Sequence, residues 1–129
     1  VKILVDSHIY VWAKLNDPRL SPRAKSILRS DDHELHFSLA SLWELSIKIR
    51  SGKLRTLTSS IAFVHDSLAQ DGIHILPIRY ADLLAMEQLD NHHKDPFDRI
   101  LIAQAMANGL KLLTEDASIK LYAGVQTIW

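Results

Sequence analysis

Apolar and polar positions along the 129 residues alternate between two textures: short apolar runs, and longer stretches whose apolar residues recur at helical spacing. Residues 2–6, Lys2-Ile3-Leu4-Val5-Asp6, are apolar and β-branched between charged ends and too short for a helix, so they predict a buried strand. Runs at 34–37, 73–78 and 111–113 predict three more strands, and 125–129 is a candidate fifth. Pro77 cannot donate to a sheet ladder and puts the end of the third strand near a sheet edge. Ser7 caps a helix to about Leu15, which Asn16-Asp17-Pro18 breaks. Ser21-Pro22 pairs a cap with a proline at the first helical position and opens a helix to about Ser30. Ser38 caps a helix that carries Trp43 and Glu44 and stops at Gly52 in a left-handed turn. Further helices are predicted over 59–70, 81–89 and 95–107, the last opened by Asp95-Pro96 and closed by Asn108-Gly109, with a short one over 117–123. Trp12 and Trp43 sit among apolar neighbours at helical spacing and read as core.

Strands alternating with helices, without a tight hairpin signal, predict an α/β three-layer sandwich. Its short central parallel sheet has four to five strands flanked by helices, in one domain over 1–129. Composition fits an ordinary globular chain, with 47% apolar and 23% charged residues, enough for a real core. Net charge is zero with His neutral, so any attraction to nucleic acid must come from local patches. The absence of cysteine excludes disulfides, thiolate catalysis and Cys-ligated zinc, and fits a cytoplasmic setting. No apolar stretch approaches the ~20 residues that span a bilayer, and the start lacks the pattern of a secretory signal, so no membrane association is expected.

The chemistry lies in four acids. Asp6 and Asp116 each stand just past the carboxyl end of a predicted strand, where open α/β sheets place their ligands. Glu44 and Asp98 fall in the first turns of predicted helices. Carboxylates gathered in one cleft repel one another unless a hard cation neutralises them, and Mg²⁺ or Mn²⁺ takes oxygen ligands while keeping several waters. One such ion, or two, would activate a water toward a phosphodiester, with no side-chain nucleophile needed. Each acid also has a plainer reading. Glu44 suits a helix dipole, Asp116 suits the cap of 117–123, and Asp95 or Asp98 could cap the helix that follows. Asp6 is the hardest to explain structurally, because an acid ending a buried strand is costly without a partner.

The run Ile3-Leu4-Val5-Asp6-Ser7-His8-Ile9-Tyr10-Val11-Trp12 resembles the opening of PIN-domain ribonucleases, particularly VapC-type toxins of prokaryotic toxin–antitoxin pairs. Three further stretches are similar to that group's later motifs, in order: Ser38-Leu39-Ala40-Ser41-Leu42-Trp43-Glu44 with Lys48 and Gly52-Lys53-Leu54, His93-Lys94-Asp95-Pro96-Phe97-Asp98-Arg99 with Ala103-Gln104-Ala105, and Leu113-Thr114-Glu115-Asp116. The resemblance implies a Mg²⁺- or Mn²⁺-dependent endoribonuclease whose acidic quartet is Asp6, Glu44, Asp98 and Asp116. It also implies that Thr114 and Ser7 hold a carboxylate or a water around the ion. A homodimer and a small antitoxin that blocks the cleft are implied as well. Ser7 stands where threonine is usual, which keeps the hydroxyl.

Other candidates lie nearby. Lys48, Arg50, Lys53 and Arg55 follow the Glu44 helix and could grip RNA phosphates, or simply favour the helix C-terminus. Arg99 is expected to pair with a site carboxylate, and Asp95 to support the site as the helix cap. His92-His93 with Lys94 offers a rival, metal-free acid–base mechanism, and His8 lies two residues past Asp6 without a clear role. A different class of reading keeps the fold as a catalytically silent RNA- or protein-binding module. An aspartyl-phosphate phosphatase of the haloacid dehalogenase type would need a second Asp where His8 stands, and a phosphate-receiving regulator an acidic pair at the first strand.

Overall fold

The computed structural model describes residues 1–129. Strands β1 (Lys2–Val5), β2 (Glu34–Ser38), β3 (His74–Leu76), β4 (Lys111–Leu113) and β5 (Thr127–Ile128) form one sheet in the order β3-β2-β1-β4-β5. Every neighbouring pair is parallel, with Ile3 opposite both Leu35 and Lys111, and Val5 opposite Leu113. Helices α1 (Ser7–Leu15), α2 (Pro22–Arg29), α3 (Leu39–Arg50), α4 (Ile61–Gln70), α5 (Tyr80–Glu87) and α6 (Pro96–Ala107) make the crossovers. This is the α/β sandwich expected, with five strands.

The strands are short apolar runs because both sheet faces are covered. Ile3 and Val5 point into one core with Ile9, Phe37, Leu45 and Leu68, whereas Leu4 points into the other with Leu101, Ile102, Leu112 and Ile119. Truncating Leu112, fully buried at the sheet centre, to alanine would cost about 2–5 kcal/mol. The chain steps from β1 to β2 on one side and later returns to place β4 on the other. The crevice beyond the carboxyl ends of β1 and β4 is therefore the switch point of the sheet.

Several expected boundaries move. The run 73–78 contributes only β3, an edge strand as Pro77 requires, and 125–129 only the two residues of β5. The helix expected over 59–70 starts at Ile61, capped by Ser60 through the Ala62 N–H, and the expected helix at 117–123 is a 3-10 helix, Ala117–Leu121. Gly52 does take a left-handed φ of 80°, one residue past the α3 cap at Ser51. Trp43 is not core: it is 62% exposed, on the outer face of α3. Trp12 is partly buried against the larger core, and Trp129 meets it edge-on at 6.2 Å between ring centres. No helix is long and apolar enough to cross a membrane.

Candidate active site

Asp6 ends β1 and starts α1 at once. Its N–H still joins the ladder to the Leu113 carbonyl at 3.1 Å, while its Oδ1 accepts from the Ser7 N–H at 2.7 Å. Asp6 is thus the α1 cap in place of Ser7, because the chain turns from strand to helix at the acid. The Ser7 hydroxyl is thereby freed, and it donates to Glu44 Oε1 at 2.7 Å. Glu44 lies in the second turn of α3, one turn later than expected, which aims it across the strand ends at α1. Its other oxygen faces Lys48 Nζ at 3.3 Å.

On the other side, the Thr114 hydroxyl donates to Asp6 Oδ2 at 2.8 Å and accepts from the Asp116 N–H at 3.2 Å. Thr114 and Asp6 are both almost wholly buried, at 2% and 3% exposed. One hydroxyl therefore ties the first and fourth acids together from neighbouring strand ends. Asp116 caps the 3-10 helix, its Oδ1 accepting from the Ser118 N–H at 3.0 Å and from the Ser118 hydroxyl. Oδ2 faces His93 Nε2 at 3.2 Å.

Asp98 comes from the first turn of α6 and is the exception among the four, since its carboxylate accepts no hydrogen bond in the structure. Burial, with repulsion from Asp95, Asp6 and Glu44 outweighing the attraction of His93, pushes its carboxyl up to about 6. Asp116 goes the other way: burial raises it, but the Ser118 hydroxyl and N–H and the His93 ring together hold it below the usual carboxylate range.

The donor set suits a hard divalent ion. Counting hydrogen bonds accepted, Asp98 has all of its lone pairs free, Glu44 gives up one, Asp6 two and Asp116 three. Ligand atoms of Asp98, Asp116 and His93 also lie within 4.8 Å of one another, a spread that one cation could bridge. A half-buried, unpaired carboxylate among other acids is the arrangement that a cation relieves.

The remaining candidates divide. Asp95 caps α6 through the Phe97 N–H at 2.8 Å and reaches the site only by its charge. Arg99 pairs with no carboxylate, contrary to expectation. Its guanidinium donates to the carbonyls of Asp90 at 2.8 Å, His93 at 3.4 Å, and Met86 and Leu89 at 3.3 Å. The reason is geometric: α6 carries Arg99 toward the end of α5 and the loop after it, where it meets a cluster of backbone carbonyls. Of the basic set, Lys48 and Lys53 line a cleft of about 490 Å³ that begins at His8 beside Asp6 and runs past Trp12 and Arg19. Arg50 and Arg55 lie outside that lining, and Arg55 folds back over Gly52.

Three groups escaped the sequence reading in their actual setting. His93 stacks on Tyr122 and meets its hydroxyl through Nδ1 at 3.0 Å, so it does not work as a pair with His92, which meets Tyr122 edge-on. Ser118 is legible only as the hydroxyl two residues past an acid, a capping pattern. His8 Nδ1 lies 3.5 Å from Asp6 and its Nε2 3.2 Å from Glu115. Burial lowers its pKa, but those two acids outweigh it and the result is raised.

The class defined here is an all-parallel α/β sandwich with acidic side chains at its switch point. The chain belongs to the PIN domain family, whose model matches residues 3–125. A comparison with curated proteins gave no match. Among solved structures, the chain is similar to VapBC2 from Rickettsia felis bound to a DNA fragment from their promoter, with a TM-score of 0.75, 14% identity, and 99% of this chain and 98% of that one covered. It is also similar to DNA-bound VapBC from Salmonella typhimurium, with a TM-score of 0.72, 15% identity and 99% and 97% covered. FitAcB from Neisseria gonorrhoeae gives a TM-score of 0.67, 19% identity and 98% and 96% covered. At these identities the likeness is one of fold.

Proposed function

We propose that this protein is a Mg²⁺- or Mn²⁺-dependent endoribonuclease acting as the toxin of a toxin–antitoxin pair. The observation that carries the reading is the unpaired Asp98 carboxylate, held up to about 6 among three further acids at the sheet switch point. A divalent ion held there would supply Lewis acidity and ease deprotonation of a water near the scissile phosphate. Asp98, with the most free lone pairs, is the leading ligand, joined by Asp6 and Glu44, while Asp116 has one position left to offer. Ser7 and Thr114 fix the two inner acids from either side of β1. Lys53 offers the RNA backbone positive charge along the cleft that starts at His8, while Lys48 and Arg19 in the same cleft are paired with Glu44 and Asp17.

Protein partners have a surface of their own. Leu39 and Trp43 on α3 and Ile61 on α4 are exposed and line one shallow depression, and Ile47 and Phe63 of the same two helices are exposed as well. Two solved structures of similar fold are described as VapBC, and we assign this face to contacts with an antitoxin or a second copy.

Cleavage of total RNA by the purified chain tests the reading. EDTA should abolish it, and Mg²⁺ or Mn²⁺ should restore it. Cleavage undiminished in chelator defeats the metal mechanism, and tight RNA binding without cleavage in either ion would favour the silent module.

A further inference from the structure

We infer that His93 is a positioning residue for Asp116, fixing that carboxylate through a proton on Nε2 in a relay that begins at the Tyr122 hydroxyl. The inference rests on the metal-site reading above but concerns a side chain outside the acidic quartet. His93, Asp98 and Asp116 are close enough together that His93 could equally be taken for a nitrogen ligand, and the hydrogen bonds decide between the two roles.

The decision starts at Ser118. Its Oγ lies 2.5 Å from Asp116 Oδ1, a distance that two oxygens reach only with a proton between them, and the carboxylate is the acceptor. The single Ser118 hydroxyl proton is therefore spent on Asp116. His93 Nε2 lies 2.8 Å from the same Ser118 oxygen and 3.2 Å from Asp116 Oδ2, so it faces only lone pairs and must itself carry a proton. At the far side of the ring, Nδ1 meets the hydroxyl of the buried Tyr122 at 3.0 Å, and that hydroxyl has no other partner. A neutral imidazole with Nε2–H accepts there, and an imidazolium donates. Both ring nitrogens are engaged, Nε2 by Ser118 and Asp116 and Nδ1 by Tyr122, so a cation could take Nε2 only by displacing its proton and breaking both contacts. The imidazole thus acts on the ion only through Asp116, by leaving one Oδ2 position open and fixing where it points.

The ring is itself held. Tyr122 stacks on it with ring centres 5.4 Å apart, and Arg99 takes the His93 carbonyl along with three others of the same loop. Its imidazole side chain is only 11% exposed.

Two measurements test this. The first is long-range ¹H–¹⁵N NMR of the metal-free chain, which should show a proton on His93 Nε2; a bare Nε2 overturns the inference. The second is calorimetric Mn²⁺ affinity for wild type, His93→Ala, His93→Gln and Tyr122→Phe, each also in an Asp116→Asn background. Loss of a partner that orients a ligand typically costs 10–100-fold in metal affinity, so His93→Ala should weaken binding by about that factor. His93→Gln, which keeps an N–H donor, should recover most of it, and Tyr122→Phe should fall between. With Asn at 116, His93→Ala should change affinity less than about twofold, because coupled partners do not add. Undiminished affinity in His93→Ala, a full additional loss in the Asp116→Asn background, or nitrogen hyperfine coupling in the spectrum of bound Mn²⁺ would each overturn it. If wild type bound no Mn²⁺, the nuclease proposal would fall instead, and the NMR result would still decide the relay.

Discussion

Asp98 carries a measurable cost of its own at the scale of the residue. Its carboxyl is held at about 6 in the fold against 3.8 when unperturbed, so the folded chain binds that proton more tightly than the unfolded one. Ionised Asp98 therefore subtracts stability above pH 6, and the penalty fades as the pH falls through the window to 3.8. After allowance for solvent screening, metal-free Asp98→Asn should be more stable than wild type by about 1 kcal/mol at pH 8 and equal to it below pH 4, read by urea unfolding. Mg²⁺ should raise the Tm of wild type and leave the variant unmoved, while RNA cleavage by the variant should fall at least about 100-fold. Thr114→Val keeps shape but loses both bonds of the hydroxyl, so cleavage should drop about 10–100-fold, with a stability loss of only about 1–2 kcal/mol by thermal melt. Asp6 stood out in the sequence because a carboxylate that ends a buried strand has no cheap structural excuse, whereas Glu44, Asp98 and Asp116 each also read as ordinary helix-start acids. Thr114 and Ser7 were expected beside the acids only by resemblance, and their hydroxyls donate to Asp6 and Glu44. Arg99 and His93 were not legible in their roles, since each depends on the path of the loop between α5 and α6. A loop without periodicity leaves no pattern to read.

Among the elements, the alternation of apolar runs and helical stretches identified all the strands and helices, because caps such as Ser21-Pro22 and Asp95-Pro96 mark helix starts locally. The ends of β3 and β5 were overextended for a physical reason: an apolar run continues past the last residue with a strand beside it, and ladder length is set by the neighbour. A buried polar network joining α6, α5 and the end of β3 went unread. Gln104, fully buried, accepts from the Ser38 hydroxyl at 2.6 Å and donates to the Pro77 carbonyl at 3.2 Å, beside a buried Asp82 that accepts from the Arg79 N–H. Gln104→Leu strands three polar groups and should cost about 2–4 kcal/mol in chemical denaturation. Arg99→Ala frees four carbonyls at once. It should speed amide exchange across residues 86–93 and lower Mn²⁺ affinity through the displaced His93, with α6 itself still protected.

Across the whole molecule, charge and apolar surface are sorted to different places although the net charge is zero. The cleft from His8 to Lys53 carries the cations, so Lys53→Glu should weaken RNA binding and lessen its salt dependence by roughly one phosphate contact, with Mn²⁺ affinity unchanged. The α3–α4 face carries the apolar residues, so Trp43→Glu should reduce self-association in sedimentation, or antitoxin capture in a titration, without touching cleavage. The hydroxyl of Thr114 joined to Asp6 has one further implication, for synthesis. These residues are separated by 108 positions, and β1 meets β4 only when nearly all of the chain exists. A nascent polypeptide still short of β4 and the residues just past it would lack Thr114, Asp116 and the clamp on Asp6 together. On the proposed function, a ribosome translating this message would be spared the enzyme it is making until the segment from β4 to Asp116 has been made and folded onto β1.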